Sequence, residues 1–138
     1  MTITQKIFTG FTAFFMLIPG LAKFTDKFKG FLEVQIANAN LPFPELSFIG
    51  AQATELLLGI TLFTLLFFWN KFDFKMASRI SFFANIMVIV MMLVAVYVHL
   101  HPNVPAEVLP FEYKPPVLAI VLILMAILNI NKSRKAIV

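Results

Sequence analysis

The chain has 138 residues, of which 60% are hydrophobic and only 13% charged, with a net charge of +4 and a mean hydropathy of +0.90. A soluble domain carries about 45–50% apolar and about 25% charged residues, so this composition excludes a soluble globule and indicates one integral membrane domain. The basic residues sit at the ends of apolar runs, which reads as membrane anchoring and not nucleic-acid binding, and the absence of cysteine excludes disulfides, thiol relays and cysteine-ligated iron–sulfur centres.

After a short polar start, 7–22 is the first apolar run and predicts a spanning helix over about 5–24. Lys6 ahead of an apolar run that ends Gly20-Leu21-Ala22 also fits a cleavable signal peptide, but a retained first helix is the favoured reading. Pro19 and Gly20 permit a kink near its end, provided neighbouring helices satisfy the freed carbonyl.

The segment 23–40 differs in character. Phe24, Phe28, Phe31, Leu32 and Ile36 recur at helical spacing, while Lys27, Lys29, Glu33 and Gln35 fall on other faces. This pattern predicts a short amphipathic helix lying at the membrane interface, stopped by Leu41-Pro42-Phe43-Pro44.

The second span is expected over 45–69, with Trp69 placed as an interfacial anchor. A short basic loop follows at 70–79, then a third span over 79–100 that bears Asn85, Tyr97 and His99. A Pro-rich loop with two acids and His101 occupies 101–116, the last span is expected over about 115–131, and 131–138 reads as a basic tail. The predicted fold is therefore an all-α membrane protein: an antiparallel four-transmembrane-helix bundle with an interfacial amphipathic helix after the first span. Four spans place both termini on one side, with Lys6, Lys71, Lys75, Arg79, Lys132, Arg134 and Lys135. The positive-inside rule makes that side cytoplasmic and leaves Lys23, Lys27, Lys29 and Lys114 on the other.

Glu55 is the anomaly of the second span. It lies about 15 Å beyond Glu45, near the middle of a hydrocarbon layer about 30 Å thick. A carboxylate there costs at least ~2.5 kcal/mol, so it should face protein, a cavity or a partner charge. Lys23 at the end of the first helix is the natural partner, although it looks about two turns shallower. Gln52 lies one turn from Glu55 on the same face. A structural pair that fixes helix register and a binding site are both open readings.

His99 and His101 would point about 200° apart on a helix, so they do not form a metal site there, and no other spacing matches a metal signature. An interfacial histidine bonded to headgroups or loop backbone is the plain reading, and proton exchange near neutral pH the functional one. Lys23, Gln52, Glu55 and His99 all fall toward the non-cytoplasmic half, whereas the cytoplasmic half looks plainer, with Asn85 as its main buried polar candidate. Gly10, Gly20, Gly50 and Gly59 are candidates for close helix approach.

Gly20-Leu21-Ala22-Lys23-Phe24 resembles the G-x-x-K element of the DoxX family, and Glu55-Leu56-Leu57-Leu58-Gly59-Ile60 resembles its E-x-x-x-G element. The resemblance extends to length, four-helix layout and the short basic loop between the second and third spans. It implies a multi-pass protein of the bacterial inner membrane, and a membrane subunit of a redox system that binds a quinone or similar lipophilic molecule on the non-cytoplasmic side. The resemblance makes Lys23 and Glu55 the family's intramembrane polar positions, while the 101–116 loop and its histidines match no part of the family pattern. Gln52, on the Glu55 face, and His99, at the mouth of such a pocket, join them as ligand-binding candidates on this chain's own residues, with no metal and no cofactor other than a quinone expected. Electrons would come from a partner subunit, because the chain carries no evident redox centre. The alternative is a non-enzymatic accessory or assembly subunit, packed against another membrane protein or a second copy. A single intramembrane acid does not make up the proton relay that a small transporter would need.

Overall fold

Thr2 starts the first helix. In the computed structural model, which describes residues 1–137, its hydroxyl accepts the Gln5 N–H at 3.2 Å while the Gln5 side chain accepts the Thr2 N–H at 2.9 Å. This reciprocal cap satisfies two of the orphan donors of a helix start and extends α1 to Ile3–Ala22. Helix α2 (Asp26–Asn38) follows after a short turn, and Asn40, left-handed at φ 53°, stands just beyond its C-cap Ala39. Phe43, also left-handed at φ 49°, leads into α3 (Pro44–Phe68), with Pro44 in the first turn, where its missing N–H costs nothing.

A tight 3-10 turn at Trp69–Lys71 connects α3 to α4 (Phe74–Leu100). Helix α4 begins five residues ahead of the expected 79, so most of the predicted basic loop is helical. The reason is Asp73, whose carboxylate accepts the N–H groups of Lys75 and Met76 at 3.1 and 3.3 Å. The Pro-rich segment carries two short 3-10 turns, Ala106–Val108 and Pro110–Glu112. Helix α5 spans Val117–Ile137, so the expected basic tail continues the helix as far as it is described, Val138 lying outside the described residues. Arg134 and Lys135 fall in its last turn, where cations favour the helix dipole. Four of the helices, α1, α3, α4 and α5, are long and apolar enough to cross a membrane, and no strand occurs among the described residues.

The bundle is two close pairs. Helix α1 packs on α3, α4 packs on α5, and the pairs meet through thinner α1–α5 and α3–α4 contacts. Along the first pair Gly10 faces Leu66, Leu17 faces Gly59, and Gly20 faces Leu56, so the two helices run in opposite directions. Along the second, Ser133 bonds Ser81 near one end and the Lys114 carbonyl bonds His99 near the other. A core of Ala13, Met16, Leu58, Leu62, Val88 and Leu122 lies where the pairs meet. The outside is strongly apolar, with Phe67 73% and Leu57 65% exposed, as suits helices solvated by lipid chains. Lipid is as apolar as leucine, so close packing and buried polar contacts, not hydrophobic burial, must hold such helices together.

Helix α2 splits its apolar residues. Leu32 and Ile36 are buried, whereas Phe28 is 44% exposed and Phe24, in the turn before the helix, is 70% exposed, so the expected apolar face is divided between the bundle and the surface. At its end Ala39 joins Val98, Val104 and Leu109 in a second small core. The Tyr97 hydroxyl donates to the Ala39 carbonyl at 3.0 Å, and the Gln35 amide donates to the Val108 carbonyl. Helix α2, the end of α4 and the Pro-rich loop thus form one cap over the bundle.

Candidate functional site

Lys23 and Glu55 pair. The Lys23 ammonium donates to the Glu55 carboxylate, the side chains are 15% and 12% exposed, and this is the one ion pair among the described residues. The expected difference in depth is closed by the register of the α1–α3 seam. Gly20 lies opposite Leu56, so α3 runs well past the end of α1, and α2 packs on α3 beyond it. The end of α1 therefore meets α3 near Gln52 and Glu55 and not near its start.

Gln52 serves the same junction differently. In the last turn of α1 the N–H groups of Lys23, Phe24 and Thr25 go to the carbonyls of Pro19, Leu21 and Ala22. The Gly20 carbonyl is passed over, one of the orphan acceptors of a helix end. The Gln52 amide donates to it at 3.4 Å. Lys23, Gln52, Glu55 and Gly20 form one polar knot that joins α1 to α3.

His99 belongs elsewhere. It is buried, its Nδ1 lies 3.2 Å from the Lys114 carbonyl, and its polar neighbours are Lys114 and the Tyr113 backbone. Lys114 in turn donates to the carbonyls of His101, at 2.6 Å, and Val104. The histidine thus helps to seat the Pro-rich loop and makes no hydrogen bond to the Lys23–Glu55 knot. His101 accepts the Asn103 N–H at 3.3 Å, and no group of three acidic, histidine or cysteine side chains capable of holding a metal occurs among the described residues.

The expected polar asymmetry needs correction. The half that carries the termini holds a dense buried polar centre: Thr9, Thr12, Ser78, Ser81, Asn85, Asn129 and Ser133. Asn129 donates to Thr9 at 3.3 Å, Ser133 to Ser81 at 3.1 Å, and Asn85 to the Ser81 carbonyl at 2.7 Å. Thr12 Oγ1, Asn85 Oδ1 and Asn129 Oδ1 have no partner. The signal was present in the sequence as polar residues one turn apart, Ser81 with Asn85 and Asn129 with Ser133, but it becomes visible only when α4 and α5 are aligned. Along α1 the buried Ala13 and Met16 separate this centre from Lys23.

Among the clefts on the surface are two between neighbouring helices. One, of about 360 Å³, lies between α2 and α3 and is lined by Lys29, Glu33, Ile36, Glu45, Phe48 and Ile49 among others. Glu45 and Phe48 sit on the α3 stripe that continues, at steps of three and four residues, to Gln52 and Glu55. The other, of about 370 Å³, lies between α3 and α4 and includes Arg79. Neither is lined by Lys23, Gln52, Glu55 or His99 themselves.

Known protein families, curated proteins and solved structures give no match to the chain.

Proposed function

We propose that the protein is a DoxX-like integral membrane subunit of a redox system, which binds a quinone or a similar lipophilic molecule at the end of the bundle where Lys23 meets Glu55. The observation that carries this reading is the α2–α3 cleft, which is apolar on Ile36, Phe48 and Ile49 and charged on Lys29, Glu33 and Glu45. Gln52 and Glu55 do not line it but follow Glu45 and Phe48 on the same stripe of α3. An amphiphile with a polar ring and an apolar tail suits such a lining. Lys23 and Gln52 are donors fitted to a quinone carbonyl, and Glu55 is the acid–base group beside them. A bound quinone would supply the redox chemistry that the chain lacks, with electrons delivered by a partner subunit.

In this reading the four long helices form an antiparallel bundle across the bacterial inner membrane, and α2 lies at the non-cytoplasmic interface. Lys6, Lys71, Lys75, Arg79 and Lys132 then mark the cytoplasmic side together with both termini.

The second reading is an accessory or assembly subunit with no ligand. It is favoured by the closure of the knot, in which Lys23 and Glu55 already satisfy each other and Gln52 is occupied by the Gly20 carbonyl. Native mass spectrometry of protein extracted gently from its own membranes separates the two. A retained molecule of prenylquinone mass, lost in a folded Glu55→Gln variant, supports the redox reading. A co-purifying protein with no small molecule in wild type overturns it in favour of the accessory reading.

A further inference from the structure

The α3–α4 cleft is separate from the knot, since none of Lys23, Gln52 and Glu55 lines it. It is a lipid-facing gap of about 370 Å³ at the seam where the two helix pairs touch only thinly. Leu58, Ile80 and Ala84 form its inner wall, and Phe83 and Met87, 64% and 44% exposed, form its outer edge. Its one charged lining residue is Arg79.

The α4 side of the cleft has a definite polarity. Lys75, Arg79, Phe83 and Met87 follow one another at steps of four, so they form a single stripe, cationic at the start of the helix and apolar farther along it. Lys71 adds a third cation in the turn just before. Neither Arg79 nor Lys75 has a carboxylate partner among the described residues. The nearest acid in sequence, Asp73, turns its carboxylate to the N–H groups at the start of α4.

We propose that this cleft binds an anionic phospholipid, with the headgroup phosphate on Arg79 and Lys75 and an acyl chain along Phe83 and Met87. The shape of the site matches that of the ligand: unpaired cations at one end and an open apolar channel leading away from them. A guanidinium suits phosphate geometry in particular, because its fork of donors meets two oxygens at once. A zwitterionic lipid fills the same channel but offers the cations no net charge. The occupant would act as a wedge at the weakest seam of the bundle, between the α1–α3 and α4–α5 pairs. This inference needs only that the four helices cross a bilayer, and it is independent of the quinone reading.

The chain carries its own reporter. Trp69 is the single tryptophan, and it sits in the turn joining α3 to α4, its ring 6.4 Å from that of Phe74. The full-length protein is reconstituted in vesicles that contain either brominated phosphatidylglycerol or brominated phosphatidylcholine, and Trp69 quenching is compared at equal mole fraction. The expected result is preferential quenching by the anionic lipid, by about fivefold in relative binding for each engaged basic side chain. Arg79→Gln should reduce the preference by about fivefold. Its quenching by the zwitterionic lipid should stay at the wild-type level, which also shows that the variant is folded. Lys75→Gln, on the exposed first turn, is a second variant that lowers the preference by the same route. Lys132→Gln removes a cation from the same end of the bundle but on α5, and should leave the preference intact. Equal quenching by the two lipids overturns the proposal. So does an equal effect of Arg79→Gln and Lys132→Gln, which would mean that net charge alone attracts the lipid.

Discussion

The backbone of Leu17 passes directly over Gly59: a Cβ added at 59 would lie 2.8 Å from the Leu17 Cα and nitrogen. Those are backbone atoms, which cannot move aside as a flexible side chain can. Gly20 makes a milder approach on the same seam, with its added Cβ 3.1 Å from Leu56 and 3.2 Å from the Glu55 Cβ. The closeness of α1 and α3 at Gly59 sets the register that brings Lys23 level with Glu55.

Gly59→Ala should therefore act at a distance. Pushing the helices apart costs about 1–3 kcal/mol, as overpacking in a well-packed interior does, and it should also lengthen the Lys23–Glu55 contact. Gly50→Ala is the control, because a Cβ there meets nothing within 4 Å. Unfolding in mixed micelles should show a clear loss for the first and none for the second. Equal behaviour of the two would mean that the α1–α3 seam is looser than described.

The Lys23–Glu55 pair predicts a thermodynamic coupling. Lys23→Met leaves a carboxylate with no partner inside the bundle, a loss of about 3 kcal/mol for a buried pair. Adding Glu55→Gln removes the uncompensated charge and should recover part of that loss. The double-mutant cycle should give a coupling above ~1 kcal/mol, well beyond the additivity of independent sites. Strictly additive effects would show that the two groups do not interact in the folded protein.

Much of this was legible in the sequence. Apolar run length located the four long helices, and a buried carboxyl in an apolar run demanded a basic partner, which pointed to Lys23. What escaped depended on local capping and on tertiary register. Asp73 moved the start of α4 back through residues that read as a loop, because a cap is a matter of a single side chain and leaves little trace in hydropathy. The Thr9–Asn129 bond joins residues far apart in the chain, so neither looked different from an ordinary polar residue near a helix end. His99 was legible as a histidine bonded to headgroups or loop backbone, and it meets the loop carbonyl of Lys114; which carbonyl it meets depends on the path of the loop, which no sequence pattern marks.

The buried polar centre separates two asparagines by what they touch. Asn129 bonds across to Thr9 on α1, so Asn129→Leu should cost about 0.6–1.7 kcal/mol, the range of interhelical hydrogen bonds in membranes. Both asparagines leave Oδ1 unpaired, but Asn85 bonds only to Ser81 on its own helix, so Asn85→Leu removes no interhelical bond and should be neutral or stabilising. Steric trapping in bicelles measures both. A larger loss for Asn85→Leu than for Asn129→Leu would refute the assignment and place an additional partner on the Asn85 carbonyl.

Lys114 is predicted to hold the cap in place from within the loop. Its ammonium takes the carbonyls of His101 and Val104, and its own carbonyl meets His99, so one residue closes the loop on the end of α4. The His101 carbonyl lies just past the last turn of α4, where a cation also meets the negative end of the helix dipole. Lys114→Met keeps the length of the side chain but removes all three donors. Hydrogen exchange should then rise at the N–H groups of Val104, Val108 and Leu109, which bond within the loop, and spread to the end of α2 through Ala39 and Val108. Exchange along the α1–α3 seam should not change, because no hydrogen bond links it to the cap through Lys114. Local opening of this kind leaves global unfolding nearly untouched. A Lys114→Met protein with wild-type exchange in the loop would mean that Val98, Val104 and Leu109 hold the cap by packing alone.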